Sequence, residues 1–296
     1  MAFLIDIKKK IQSVQGTRKI TQAMELVAAS RMKAFQRRAL ATRAYAGALL
    51  EGLHQSRAEW AELPLAEKRA EGKTLFIVVT SDKGLCGSLN QQQIRALFRD
   101  ERWNALNPDE RMLFTIGRKS AEACIARGVK PERRFDGLKE DFKPLDALVI
   151  VHEILSLWNA KEIKQVIMVA PEYVNAFTTR VRVKTYLPFG HEMIESHLNE
   201  DALRGGTEFG PSVITEPERE TVIEKLSFQL LEALVTHAFY ELKASEYSSR
   251  MVAMKHATEA AGDMIKALTL EYNKARQAAI TQQLAELAGA GAAMGT

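Results

Sequence analysis

Cysteine is scarce in this chain, and the two thiols present, Cys86 and Cys124, are not spaced as metal ligands or as a disulfide framework. A pair so far apart reads as two small buried hydrophobes. Long apolar runs are missing too. The longest, such as residues 76–79 and 147–151, fall far short of the roughly 20 residues that cross a bilayer. The opening residues lack the basic and apolar segments of a secretory signal and the Arg- and Ser-rich character of an organellar presequence, so a cytoplasmic location is expected.

The catalytic signatures are equally thin. No glycine-rich loop ends in Gly-Lys-Ser or Gly-Lys-Thr, where backbone amides and a lysine would cradle phosphates. The six histidines, His54, His152, His191, His197, His237 and His256, show no metal-binding spacing, and no Gly-x-Ser-x-Gly elbow is present. The expectation is no catalytic residue, no cofactor and no metal.

Proline is absent before Pro64 and after Pro217. The opening stretch therefore reads as one helix, and at 1.5 Å per residue about 55 residues would reach roughly 80 Å. Ile7, Ile11, Val14, Thr21, Ala28, Met32, Phe35, Ala39, Thr42, Ala46, Leu49 and Leu53 recur on steps of three and four, with Arg18 and Glu25 interrupting the seam. After Pro217, the acids Glu218 and Glu220 suit a helix N-terminus, and Leu226, Leu230, Leu234, Ala238, Leu242, Ser245, Val252, Ala261, Ile265, Leu268, Ala275, Ala279 and Leu287 supply a second apolar face. Two stripes at opposite ends of the sequence are buried most economically against each other, as an antiparallel coiled coil.

Between them the period changes. Residues 74–80, 112–117, 165–170 and 179–187 read as strands, and residues 90–99, 119–126 and 146–161 as helices. This alternation implies a mostly parallel sheet flanked by helices, so the fold class is α/β: a Rossmann-like domain plus the long antiparallel coiled coil. The expected boundaries are residues 1–62 for the first helix, 73–190 for the α/β domain, 191–216 for a linker marked by Gly205, Gly206 and Pro211, 217–288 for the last helix, and 289–296 for a small apolar tip.

Net charge is only +4, but residues 8–43 carry ten basic side chains against the single acid Glu25. Such a segment should face acidic protein, a phosphate backbone or an anionic surface. Nucleic acid is the less favoured partner, because no helix-turn-helix, zinc or RNA-binding signature accompanies the charge. The loop at residues 81–90, Ser-Asp-Lys-Gly-Leu-Cys-Gly-Ser-Leu-Asn, follows a strand and leads into a helix. As a nucleotide cradle it has the wrong spacing; as a tight turn capped by Ser88 or Asn90 it is ordinary.

Three segments carry a more specific resemblance. Thr17-Arg18-Lys19-Ile20-Thr21-Gln22-Ala23-Met24-Glu25-Leu26-Val27-Ala28-Ala29-Ser30-Arg31-Met32 resembles the N-terminal helix of gamma subunits of F-type ATP synthases. So do Ala244-Ser245-Glu246 with Ser249-Arg250-Met251-Val252-Ala253-Met254-Lys255, and Tyr272-Asn273-Lys274-Ala275-Arg276-Gln277-Ala278-Ala279-Ile280-Thr281. The loop at 81–90 is similar to the family's signature turn.

The resemblance implies a noncatalytic central rotor shaft, one copy per complex. Its partners would be three alpha and three beta subunits, the epsilon subunit and the membrane c-ring, at the cytoplasmic face of the bacterial plasma membrane, with no nucleic acid involved. Carried over by motif, Arg31, Lys33, Arg37 and Arg38 would face an acidic helix-turn-helix of beta, with Met24 and Arg250 near the same contact. Arg276, Gln277 and Thr281 would meet a second loop of beta, and Leu287 would begin an apolar bearing surface. The regulatory dithiol insert of chloroplast relatives has no counterpart in Cys86 and Cys124, so thiol control is not expected.

Overall fold

The computed structural model describes residues 2–55, 65–138, 142–190, 193 and 218–294. The expected linker with Gly205, Gly206 and Pro211, the helix residues 56–62, and Pro217 lie outside the described residues. Two elements dominate: α1, Ala2–Gln55, and α6, Arg219–Met294. Between them come β1 (Lys73–Val79), α2 (Leu89–Arg99), α3 (Glu101–Ala105), β2 (Arg111–Ile116), α4 (Arg118–Ile125), β3 (Arg133–Phe135), α5 (Pro144–Asn159), β4 (Ile163–Asn175) and β5 (Thr178–Leu187). The strands and larger helices match the expected ones; α3 and β3 are additions too short to have a readable period.

The chain divides into two compact units, residues 1–29 with 250–296, and residues 30–249. In the first, helix pairs with helix. Thr258 donates its hydroxyl to Thr21 Oγ1 at 2.8 Å, and Gly262 faces the Arg18 side chain. Higher numbers on one helix meet lower numbers on the other, so the pairing is antiparallel. Ile7, Thr21 and Ala28 are buried in the seam, while Arg18 turns out to solvent, which is how the charge interrupts the stripe without being desolvated.

The second unit holds the sheet, ordered β3-β2-β1-β4-β5. β1 pairs in parallel with β2 and β4, β2 in parallel with β3, and β5 returns antiparallel beside β4. β1 is apolar from Leu75 and buried from Thr74 onward, as a central strand covered on both faces must be. One face packs Phe76, Val78, Leu113, Ile167 and Val169 against Ile94 and Leu97 of α2 and Trp103 of α3. The N–H of Gly117 approaches β3, and its φ of 89° with Thr80 O only 2.0 Å from a would-be Cβ leaves no room for another residue.

In the same unit α1 and α6 also pair antiparallel, through Phe35 against Tyr240 and Tyr247. Here the structure departs from a simple stripe. Residues 230–250 of α6 are buried on nearly every side, because α1 covers one face and the α/β layer another: Phe142 stacks on Phe239 at 4.0 Å, and Tyr240 donates to Phe142 O at 2.8 Å.

Candidate interaction surfaces on the two helices

The basic residues of α1 are exposed, around a seam in which Met32, Phe35 and Ala39 are buried. Arg31, Lys33, Arg37 and Arg38 are all exposed. At about 100° per residue they do not form one line: Arg31 and Arg38, seven apart, share a flank, whereas Lys33 and Arg37 share another well over a quarter turn away. The Arg38 guanidinium lies 5.5 Å from the Phe35 ring centroid and 6.0 Å from that of Tyr240, so its stem covers the aromatic seam while its charge stays in water. Met24 is half-buried in the first unit, between the exposed Ile20 and Val27 on neighbouring turns.

Arg250 differs from the others. It is only 8 % exposed, so the chain itself encloses most of its side chain. Nearby buried polarity was not read from the sequence. Lys243 Nζ and Glu246 Oε2 pair at 3.1 Å, at 8 % and 4 % side-chain exposure, and Lys243 lies 5.4 Å from the Phe239 ring centroid. The available signal was the spacing of Lys243, Glu246 and Arg250, three and four apart and so on one helix face, where opposite charges can pair.

Further along α6, Arg276, Gln277 and Thr281 are exposed. The Thr281 hydroxyl bonds back to Gln277 O at 3.0 Å, satisfying itself within the helix. From residue 281 to residue 288 every side chain is exposed, including Leu284 at 62 % and Leu287 at 71 %. The helix nonetheless continues to Met294; alanines at 288, 290, 292 and 293 offset the low helix propensity of Gly289 and Gly291. The side chains of the expected tip, 289–296, lie outside the described residues.

The loop at 81–90 is closed upon itself. Asn90 donates to Ser81 Oγ at 2.8 Å and accepts from Ser81 N at 3.0 Å, and its amide also meets Cys86 Sγ at 3.3 Å. Asn90 is therefore a brace inside α2 and not its cap, and Ser88, at the cap position, makes no side-chain bond to the helix amides. Asp82 Oδ1 accepts from Arg118 N at 2.9 Å and from Gly137 N at 3.1 Å. A carboxylate thus holds the α4 N-terminus where a bound phosphate would sit, and its charge would repel one. Cys86 and Cys124 are buried and unpaired with each other; burial pushes the Cys124 thiol up to about 11, against a small opposing effect of Arg127, which leaves it inert.

Among the described residues no helix is long and apolar enough to cross a membrane, and no group of His, Cys, Asp and Glu side chains could hold a metal ion.

Comparison with known proteins decides the family. A family model described as ATP synthase matches residues 4–294. The chain belongs to the ATP synthase gamma-chain family. It is 36% identical over 299 residues to the ATP synthase gamma chain of Methylococcus capsulatus, covering 99% of this chain and 100% of that one. With the gamma chain of Polaromonas naphthalenivorans the identity is 37% over 294 residues, covering 98% of each. Among solved structures, a chain of the Euglena gracilis mitochondrial ATP synthase, OSCP/F1/c-ring in rotational state 3, superposes with a TM-score of 0.69 at 19% identity, over 99% of this chain and 95% of that chain. A chain of the Tetrahymena thermophila mitochondrial ATP synthase central stalk and c-ring has a TM-score of 0.58 at 24% identity, over 80% of this chain and 99% of that chain. These last two likenesses establish the fold.

Proposed function

We propose that the chain is the central rotor shaft of an F-type ATP synthase and performs no chemistry itself. The observation that carries this reading is the bare end of α6. Residues 281–288 are helical and exposed on every side, with Ile280, Leu284 and Leu287 presented to solvent at 48 %, 62 % and 71 %. A helix without lateral support is marginal in water, and exposed apolar side chains mark a contact surface. A ring of three alpha and three beta subunits would supply the cover, bearing on small and apolar side chains that slide without interlocking.

In this reading rotation of the membrane c-ring turns the α/β domain, which meets epsilon and the c-ring, and the helix pair transmits the turn. Each beta subunit then meets a different side of the shaft and is biased toward a different conformation of its catalytic site. Arg31, Lys33, Arg37 and Arg38 face acidic segments of beta from two flanks of α1. Arg276, Gln277 and Thr281 meet beta at a second level, and Leu287 belongs to the bearing. Met24 and Arg250, by the family motif, lie near the first of these contacts with beta. The closed Asp82 loop favours catalysis on the beta subunits, and the lack of a spanning helix among the described residues fits a peripheral position at the cytoplasmic face of the bacterial plasma membrane.

The test is reconstitution with alpha and beta subunits and ATP-driven rotation of a bead tied to the α/β domain. Because the native thiols are buried, an engineered one such as Lys130→Cys takes the label. Stepwise rotation that is lost on truncation after Glu271 supports the shaft. Hydrolysis with a stationary bead defeats it.

A further inference from the structure

The paired strands β4 and β5 outrun the rest of their sheet. β1 accompanies β4 only from Ile163 to Val169, so residues 170–175 have β5 alone beside them. A two-stranded ribbon is marginally stable by itself in water. This one is closed by Asn175, whose side-chain oxygen accepts from Phe177 N and Thr178 N, both at 2.9 Å, and is braced by Arg182 donating to Glu172 at 2.8 Å.

Its other support comes from the long helices. The Tyr173 N–H donates to the Glu241 carboxylate of α6. The Tyr173 hydroxyl reaches Met32 Sδ of α1 at 3.9 Å. Ser248 Oγ of α6 donates to Ala176 O at the hairpin turn at 2.7 Å. Glu241 and Ser248 are seven residues apart, hence about two turns apart on one face of α6. The hairpin therefore touches both helices and holds one of them at two levels.

That arrangement has a mechanical meaning. Elsewhere the α/β layer meets α6 through the stacked rings of Phe142 and Phe239 and the bond from Tyr240 to Phe142 O. Stacked apolar faces resist separation more than sliding, because burial is not directional, whereas hydrogen bonds weaken steeply when their angles change. Packed helix axes lie about 8–10 Å apart, so a grip on both has a lever arm against twist that a grip on one axis lacks. We propose that the overhanging β4–β5 hairpin is a strap, anchored through Tyr173 and Ala176 to Glu241, Ser248 and Met32, that locks the helix pair to the α/β domain and bears load when one turns the other. The load-bearing role rests on the rotor reading.

Two variants separate a strap from a decoration. Glu241→Leu with Ser248→Ala removes both hydrogen-bonded anchors on α6; Glu241→Gln with Ser248→Thr keeps an acceptor and a donor in place. Each is assembled with alpha and beta, the ring is fixed to a surface, and the thermal angular fluctuation of a bead on Lys130→Cys is recorded without ATP. Hydrogen exchange at the Tyr173 amide, followed in the same complexes, reports release of the hairpin.

The strap requires faster Tyr173 exchange and several-fold wider fluctuation in the first variant, and wild-type behaviour in the second. Faster exchange with an unchanged width overturns it, as does an unprotected Tyr173 amide in the wild type. Should the double variant not assemble, Ser248→Ala alone is read the same way, and an unchanged width again overturns the proposal. Adding ATP to the wild-type complex tests the rotor separately: a stationary bead removes that reading, while the fluctuation width still reports whether the strap holds.

Discussion

Phe35 of α1 and Tyr247 of α6 lie face to face, their ring centroids 5.7 Å apart and their planes within 7°. Phe35 is 2 % exposed and also meets Tyr240 at 6.4 Å. It is the anchor of the helix pair in the unit that carries the sheet. Phe35→Ala leaves a cavity that rigid aromatic neighbours cannot collapse into, and the expected loss is about 3–5 kcal/mol. Urea denaturation of the purified chain measures it.

The exposed basic side chains should behave differently. Arg37 is exposed, and pairs of that kind contribute about 0.2–1 kcal/mol each. Arg37→Ala is expected to leave assembly and torque near wild type, whereas replacing Arg31, Lys33, Arg37 and Arg38 together should weaken assembly and steepen its salt sensitivity. Sedimentation of the complex over a salt series distinguishes the two; abolition of torque by the single change would refute a distributed contact.

On the bare end of α6, Leu284→Asp and Leu287→Asp place charges where a surrounding sleeve is proposed. The chain alone should fold as before, because both side chains are already in solvent. Assembly, or the coupling of hydrolysis to rotation, should fall. Equal rotation rates in the variants and wild type would mean that no apolar sleeve surrounds this turn.

His237 supplies a pH dependence. Burial first, then the neighbouring charges of Arg43 and Lys184, lower its pKa from 6.5 to about 4. The folded chain holds it neutral while the unfolded chain protonates it, so stability falls as pH drops from about 6.5 toward 4 and the contribution levels off below that. One pKa unit is 1.36 kcal/mol, so the loss is about 3–4 kcal/mol at most. Glu241 opposes it: burial raises its pKa, so it takes up its proton more readily in the folded chain on acidification, which favours the folded state. His237→Leu should therefore flatten the decline in thermal stability between pH 6.5 and 4, a change visible by circular dichroism.

Gly117 tests the sheet. A Cβ at this position would sit 2.0 Å from Thr80 O at a φ of 89°, so backbone must move to admit even Ala. Gly117→Ala should destabilise the α/β domain by more than the roughly 0.4–1 kcal/mol that a compatible Gly-to-Ala change gains. Thermal melting checks this, with Gly128→Ala, which meets nothing within 4 Å, as the control for strain in φ alone.

Much of this architecture is legible in the residues themselves. The proline-free ends marked the two long helices, because an i, i+3, i+4 pattern so extended, interrupted at Arg18 and Glu25 by charge alone, meets no residue that removes a backbone donor. Runs such as Leu-Phe-Ile-Val-Val, residues 75–79, identify a doubly covered strand for the same local reason. The basic character of α1 and the exposed apolar side chains near Leu287 were readable as composition. What composition could not supply was azimuth and depth. Arg31 and Arg38 part from Lys33 and Arg37 only when the helix is built, and Arg250, outwardly one more arginine of a family motif, is enclosed only because of what packs around it. Asn90 became a brace to Ser81, nine positions away, while Asp82 became a plug and Tyr173, Glu241 and Ser248 a set of anchors through contacts that join residues 36 to 72 positions apart. Local periodicity records which face of an element is apolar; it carries no information on which distant polar groups meet across the fold, and that pairing is decided by tertiary structure.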